Sequence, residues 1–162
     1  MITKDQIDFI KKVKSLTPKN FKKSRVLEMG CSNTEGIVRS FFEDPTEYIR
    51  IDTMPNNSVD IVCLPSEYSG VMNTSDAAIS IEFFQNDSNW KETFINMINH
   101  VNIGGLVLIT CNGKKESDFD GLINKNFNDF KFEYNEESDN LFFYGKRSVE
   151  PLYFDKEKGD TI

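Results

Sequence analysis

Apolar positions along the chain follow two periods, one helical and one extended, in alternating blocks. Near the N-terminus Ile7, Phe9, Ile10, Val13 and Leu16 recur at helical spacing. Thr3 and Gln6 supply the two halves of a capping box ahead of them, and Pro18 stops the run. A basic linker leads to a short strand over residues 25–29, then a turn over 30–34. Ile37, Val38, Phe41 and Phe42 next fall on one face of a predicted helix that Pro45 ends. Strands are predicted over 47–52, 59–63 and 76–81, whereas Pro65, Gly70 and Asn73 break any period in 64–74. Ser88 or Asn89 caps a predicted helix whose stripe is Trp90, Phe94, Met97, Ile98 and Val101, and Gly104-Gly105 terminates it. Residues 106–110 are almost continuously apolar, the pattern of a strand covered on both faces. A short helix over 118–126 and strands near 130–134 and 140–146 follow, the last two joined by a polar turn as a hairpin.

Strands alternating with helices predict an α/β fold: a doubly wound, mostly parallel sheet of about seven strands with a C-terminal antiparallel hairpin. The length of 162 residues suits one domain. Its expected parts are an N-terminal helix and basic linker (1–23), a core (24–147) and a flexible tail (148–162). Fourteen phenylalanines argue for a packed core.

Charge narrows the partners. The net charge is −7, with +6 on residues 1–25 and −13 on the rest. An acidic body repels phosphate backbones, so nucleic acid is not an expected partner, and the basic arm reads as a solvated face. No apolar run is long enough to span a bilayer, and residues 1–10 contain no signal-like apolar stretch. Cys31, Cys63 and Cys111 lack disulfide or zinc spacing. The expectation is a cytoplasmic chain with reduced thiols and no metal site.

In a doubly wound sheet, ligands lie outside the carboxyl ends of the central strands. There, Gly30 sits where the backbone must turn, and Asp52 ends the second strand, where a carboxylate can accept both hydroxyls of a ribose. The pair points to an adenosyl ligand. A dinucleotide would need G-x-G-x-x-G, yet Ser32 and Glu35 stand at the later glycine positions. Glu28, just before the turn, opposes a pyrophosphate and suits a ligand carrying an ammonium and a sulfonium.

The stretch V-L-E-M-G-C-S-N-T from Val26 to Thr34 resembles the first motif of class I S-adenosylmethionine-dependent methyltransferases. Y-I-R-I-D ending at Asp52, V-D-I-V-C ending at Cys63, S-D-A-A-I-S-I-E ending at Glu82 and I-G-G-L-V-L-I-T ending at Thr110 are similar to the family's later strand segments, in order. The resemblance implies S-adenosylmethionine, or S-adenosylhomocysteine as product, with methyl transfer to a small molecule or glycan precursor. It places Gly30, Cys31 and Ser32 near the methionine part, Glu28 at its ammonium, Asp52 with Thr53 at the ribose, Met54 on the adenine, the Leu64 backbone at the adenine edge, and the Ser80 carbonyl at the ligand's amino group.

The departures motivate an alternative. Ser32 and Thr34 replace the family's second and third glycines, Leu64 replaces an acid, and the histidine after the fourth strand is missing. A non-catalytic, methyltransferase-like binding or partner subunit, paired with another protein or with itself, is the second reading; a dinucleotide or nucleotide-sugar enzyme is a third. Thr34 is expected to cap the helix after the turn. Glu82 is the one candidate general base. Phe83 and Phe84 are candidates to face a substrate, Trp90 reads as core, and His100 as a satisfied or solvated histidine far from the cleft.

Overall fold

The computed structural model describes residues 1–32 and 34–148, and the backbone of residues 154–155 and 160–161. Helix α1 (Lys4–Leu16) opens on the expected capping box: the Gln6 N–H donates to Thr3 Oγ1 at 3.3 Å, and the Thr3 N–H donates to Gln6 Oε1 at 2.8 Å. Strands β1 (Arg25–Met29), β2 (Glu47–Asp52), β3 (Ile61–Val62) and β4 (Ser75–Ile81) come next. Helix α2 (Trp90–His100), β5 (Val101–Asn112), β6 (Phe127–Asn135) and β7 (Asn140–Arg147) complete the main sheet. In the tail, the Ser148 N–H donates to Asn126 O at 2.8 Å and β8 (Phe154–Asp155) pairs antiparallel with β9 (Asp160–Thr161); residues 149–153, 156–159 and 162 lie outside the described residues.

Seven strands form one sheet in the order β3-β2-β1-β4-β5-β7-β6. Strands β1 to β5 pair in parallel, and β7 runs antiparallel to both β5 and β6. Residues alternate between two cores, as a sheet covered on both faces requires. Val26, Ala77, Ile79, Leu106 and Leu108 pack toward α1, whereas Leu27, Met29, Ala78, Val107 and Ile109 pack toward α2. Phe94 anchors the α2 side, with edge-on contacts to Phe84, Phe119 and Phe143.

Four expectations are corrected. The helix expected after Gly30 is a set of turns and a four-residue 3-10 helix, Val38–Phe41, because Glu35 and Gly36 both take positive φ (50° and 82°) and reverse the chain. The helix expected over 118–126 is likewise a 3-10 turn, Glu116–Phe119, with Gly121 at φ 79° behind it. Gly104 and Gly105 do not terminate α2, which ends at His100; they lie inside β5. There Ser75 pairs with Val101 but Ala77 pairs with Leu106, and Gly104 at φ 83° takes the bulge. The cap of α2 also differs: Asn89 occupies the cap position without a side-chain cap, and the Asp87 carboxylate instead accepts the Asn89 N–H at 2.8 Å and the Thr93 hydroxyl at 2.5 Å.

Candidate functional site

The carboxyl ends of β1, β2 and β4 meet along one edge of the sheet. Gly30 follows β1 at φ 76°, and its N–H donates to Ile51 O at 2.8 Å. A Cβ at Gly30 would fall 2.1 Å from the Phe83 ring, so only glycine fits beneath that side chain. The turn is tied to β2 through Asp52. That carboxylate is 6% exposed and accepts the Ser32 N–H at 2.9 Å and the Thr53 N–H at 2.7 Å. Asn56 donates to Ser32 Oγ at 3.0 Å and closes the loop after β2 onto the loop after β1.

Glu28 lies wholly buried under the turn. The Thr34 hydroxyl donates to one of its oxygens at 2.6 Å, and the Tyr48 hydroxyl donates to the other at 3.0 Å. Thr34 therefore does not cap a helix; in place of the family's glycine, it supplies a donor to a buried carboxylate. Burial raises the Glu28 pKa above its ordinary 4.5, and the Thr34 and Tyr48 hydrogen bonds only partly offset it. Burial, then the nearby Glu28 carboxylate, also holds the Tyr48 hydroxyl protonated. Cys31 sits beside this group with its thiol pushed up to about 12, chiefly by burial, so it stays an unreactive thiol.

A pH test follows from Glu28. A raised native pKa means the folded state binds the extra proton, so the stability Glu28 contributes is full below about pH 4.5 and is lost as pH rises through the native pKa. Glu28→Gln stays neutral and escapes that loss. In urea denaturation, the variant's stability relative to the parent is expected to climb as pH rises from 4.5 toward neutrality. The climb is about 1.4 kcal/mol for every pH unit by which the native pKa exceeds that of the unfolded chain. A constant difference across that range would mean Glu28 is not the titrating group.

Other expected site residues separate. Met54 and Leu64, at the ends of β2 and β3, remain 66% and 41% exposed. Thr53 is exposed, whereas Ser80 is wholly buried in β4. Glu82 follows β4 at φ 59°, with its N–H bound to Thr110 O at 2.8 Å. Phe83 reaches the cleft over Gly30, but the 3-10 turn Phe84–Asn86 rotates Phe84 into the core, which removes it as a substrate-facing residue. Trp90 packs on Phe119 at 4.9 Å with Lys114 4.5 Å above its ring. His100 is satisfied far from this edge, its ring nitrogens facing Asn96 O at 2.8 Å and Gly70 O at 3.1 Å.

Three participants escape the motif pattern: Thr34 as partner of Glu28, and Gln6 and Gln85, whose side-chain amides both donate to Glu82. Gln6 is visible in the sequence only as a helix cap. The three-residue spacing of Glu82 and Gln85 is the one local signal for the second pair.

The strand order β3-β2-β1-β4-β5-β7-β6, with β7 alone reversed among its neighbours, decides the architecture. The chain has the class I methyltransferase fold. No protein-family model matches its sequence, and no curated protein does. Solved structures match its fold at low identity. A Burkholderia thailandensis 1,6-didemethyltoxoflavin-N1-methyltransferase, solved with bound 1,6-didemethyltoxoflavin and S-adenosylhomocysteine, is 12% identical with a TM-score of 0.63, over 87% of this chain and 79% of that one. A Haemonchus contortus phosphoethanolamine N-methyltransferase 2 is 15% identical with a TM-score of 0.63, over 88% of this chain but 53% of its own. The cyclase SpnF is 11% identical with a TM-score of 0.63, over 85% of this chain and 81% of that one. One class I fold thus serves methyl transfer and cyclisation, so the fold by itself does not name the reaction.

Proposed function

We propose that this chain is a single-domain, S-adenosylmethionine-dependent methyltransferase acting on a small molecule. The observation that carries the reading is the arrangement at the sheet edge. Gly30 turns tightly at the end of β1, Asp52 holds a buried carboxylate at the end of β2, and Met54 and Leu64 leave apolar surface uncovered at the next strand ends. Those residues fit the parts of an adenosyl ligand: Asp52 and Thr53 the ribose hydroxyls, Met54 and Leu64 the adenine. Gly30, Cys31, Ser32 and the Ser80 carbonyl fit its amino-acid end. Glu28, already engaged by Thr34 and Tyr48, acts on that end through the turn it supports. When bound, the group supplies an already activated methyl, so the protein's task is to position the acceptor and exclude water. The bound S-adenosylhomocysteine of the Burkholderia neighbour supports the choice of ligand.

No helix among the described residues is long and apolar enough to cross a membrane, and Cys31, Cys63 and Cys111 are free. Free thiols support the cytoplasmic placement. One observation favours the non-catalytic reading: the Phe83 ring rests on Gly30, where a ligand would approach.

Calorimetry on the purified chain tests both. S-adenosylmethionine and S-adenosylhomocysteine are expected to bind, and NAD at the same concentration is expected to bind far more weakly. Equal or tighter binding of NAD would overturn the cofactor assignment. Absence of any adenosyl binding would leave the non-catalytic reading standing.

A further inference from the structure

Resting on the methyl-transfer reading, we propose that the sheet edge beneath the first turn of α1 is a binding site for a small protonated amine, received by the Glu82 carboxylate. Glu82 takes a left-handed backbone, φ 59°, which a non-glycine residue adopts only where its surroundings hold it. Its N–H is held by Thr110 O at 2.8 Å. Its side chain is held as firmly: one carboxylate oxygen accepts the Gln6 amide, and the other accepts the Gln85 amide at 2.8 Å. Gln6 is wholly buried, and its own oxygen is fixed by the Thr3 N–H, so its amide nitrogen is left for Glu82. Both donors are neutral. Among the described residues no cation lies within ion-pair distance of Glu82, so its charge is oriented without being cancelled.

Unmet polar atoms near this carboxylate point to the class of ligand. Because the Gln85 amide nitrogen goes to Glu82, the Gln85 oxygen is a buried acceptor with no partner. The Thr110 hydroxyl is wholly buried and also without a partner. Thr110 lies in register with Ile81 and Phe142, which pack toward α1, so its hydroxyl faces the layer that Gln6 enters. Buried polar atoms are costly when unpaired, and such atoms near a poised carboxylate mark a place where a ligand completes the bonding. The unpartnered Gln85 oxygen and Thr110 hydroxyl, with the remaining lone pairs of the Glu82 carboxylate, offer a ligand acceptors. An ammonium offers only donors and carries the opposite charge. A carboxylate or phosphate ligand would meet Glu82 with repulsion. The −13 charge of residues 26–162 draws cations toward the body.

Glu82 then has a chemical task. A nitrogen attacks only with its lone pair free. Glu82 fixes the ammonium beside the cleft, and its proton passes to water, so the N–H bond breaks and the neutral amine keeps the electron pair.

The test uses the purified chain with 2-phenylethylamine, 2-phenylethanol and phenylacetate as probes of one shape and different charge, read by ligand-observed NMR at neutral pH. The amine is expected to bind about tenfold or more tightly than the alcohol or the acid. Glu82→Gln is expected to remove that preference, with a loss of about tenfold, and to leave S-adenosylhomocysteine affinity unchanged. Gln85→Met removes both the free acceptor and the amide that orients Glu82, and it is expected to weaken the amine severalfold; if Glu82→Gln fails to fold by thermal melting, this variant decides. Equal binding of the three probes, or amine affinity indifferent to the folded variants, overturns the site. So does a tenfold fall in S-adenosylhomocysteine affinity for Glu82→Gln, because the carboxylate would then serve the cofactor's amino group. Amine preference without any adenosyl binding would keep the site and overturn the methyl-transfer reading.

Discussion

Replacing Arg147 with Met is expected to lower the unfolding free energy by about 3 kcal/mol. Arg147 ends β7 and is 1% exposed. Its Nη1 donates to Ile98 O at 2.9 Å, to Val101 O at 2.6 Å and to the Asn73 side chain at 2.6 Å, with Asn99 O at 3.4 Å. Ile98 and Asn99 lie in the last turn of α2, where carbonyls lack helical donors and the helix dipole is negative. One guanidinium therefore joins the last strand of the sheet to the corner between α2 and β5 and to the loop at Asn73. A methionine of similar length fills the space but donates nothing, leaving buried carbonyls unpaired at about 1–3 kcal/mol each before relaxation. Arg147→Lys keeps the charge with fewer, differently directed donors, so an intermediate loss is expected. Urea denaturation reads both. A loss under about 1 kcal/mol for Arg147→Met would mean the corner finds other donors.

The same corner shows why parts of the fold can be read from sequence and others cannot. Strand β5 is legible at residues 106–110 because a strand buried on both faces must be apolar throughout. Helix α2 is legible because Phe94, Met97 and Ile98 share a face against the sheet. Its end is not. Gly104-Gly105 is as good a helix stop as a strand bulge, and only pairing with β4 distinguishes them, since the bulge exists to bring Ala77 opposite Leu106. The helix expected after Gly30 is absent for a related reason. Ile37, Val38, Phe41 and Phe42 have helical spacing, but spacing does not reveal that Glu35 and Gly36 reverse the backbone first. After that reversal too few residues remain before Pro45 for more than a 3-10 turn.

At the site, what lies within one motif is legible and what lies across motifs is not. Gly30 and Asp52 stand out because a turn and a strand end need those residue types. Thr34 is visible as a departure from glycine, but its compensation is hidden: Glu28 is six residues away and Tyr48 reaches the same carboxylate from the neighbouring strand. Gln6 and Glu82 are 76 residues apart, and no periodicity connects a helix cap to a strand end. Parallel pairing of β1 with β4, and the crossing of α1 over that face, make the contact. Polar networks of this kind depend on tertiary packing, so local pattern is silent about them.

Asp52→Ala is expected to weaken S-adenosylhomocysteine binding by about 1.5–3 kcal/mol, through loss of charge-assisted hydrogen bonds to the ribose. From sequence alone, the substitution reads as neutral for stability, a carboxylate facing an open cleft. The geometry changes that expectation. Asp52 is 6% exposed, and its carboxylate accepts the Ser32, Thr53 and Met54 N–H groups and the Thr53 hydroxyl, so alanine strands these donors and loosens the turn after β1. A stability loss of about 1–3 kcal/mol should accompany the binding loss. The two effects must be separated, because a loosened Gly30 turn would weaken binding even without any contact between Asp52 and the ribose. A cycle between protein and ligand does so. S-adenosylhomocysteine and its 2′,3′-dideoxyribose analogue are each titrated into the parent and into Asp52→Ala. If Asp52 holds the hydroxyls, the analogue binds the parent more weakly than S-adenosylhomocysteine does, yet the two bind Asp52→Ala alike. If Asp52 acts only by bracing Ser32, both ligands lose the same factor on mutation and the coupling energy is zero. That second result would remove the ribose role and leave Asp52 as the clasp between the first two loops of the site.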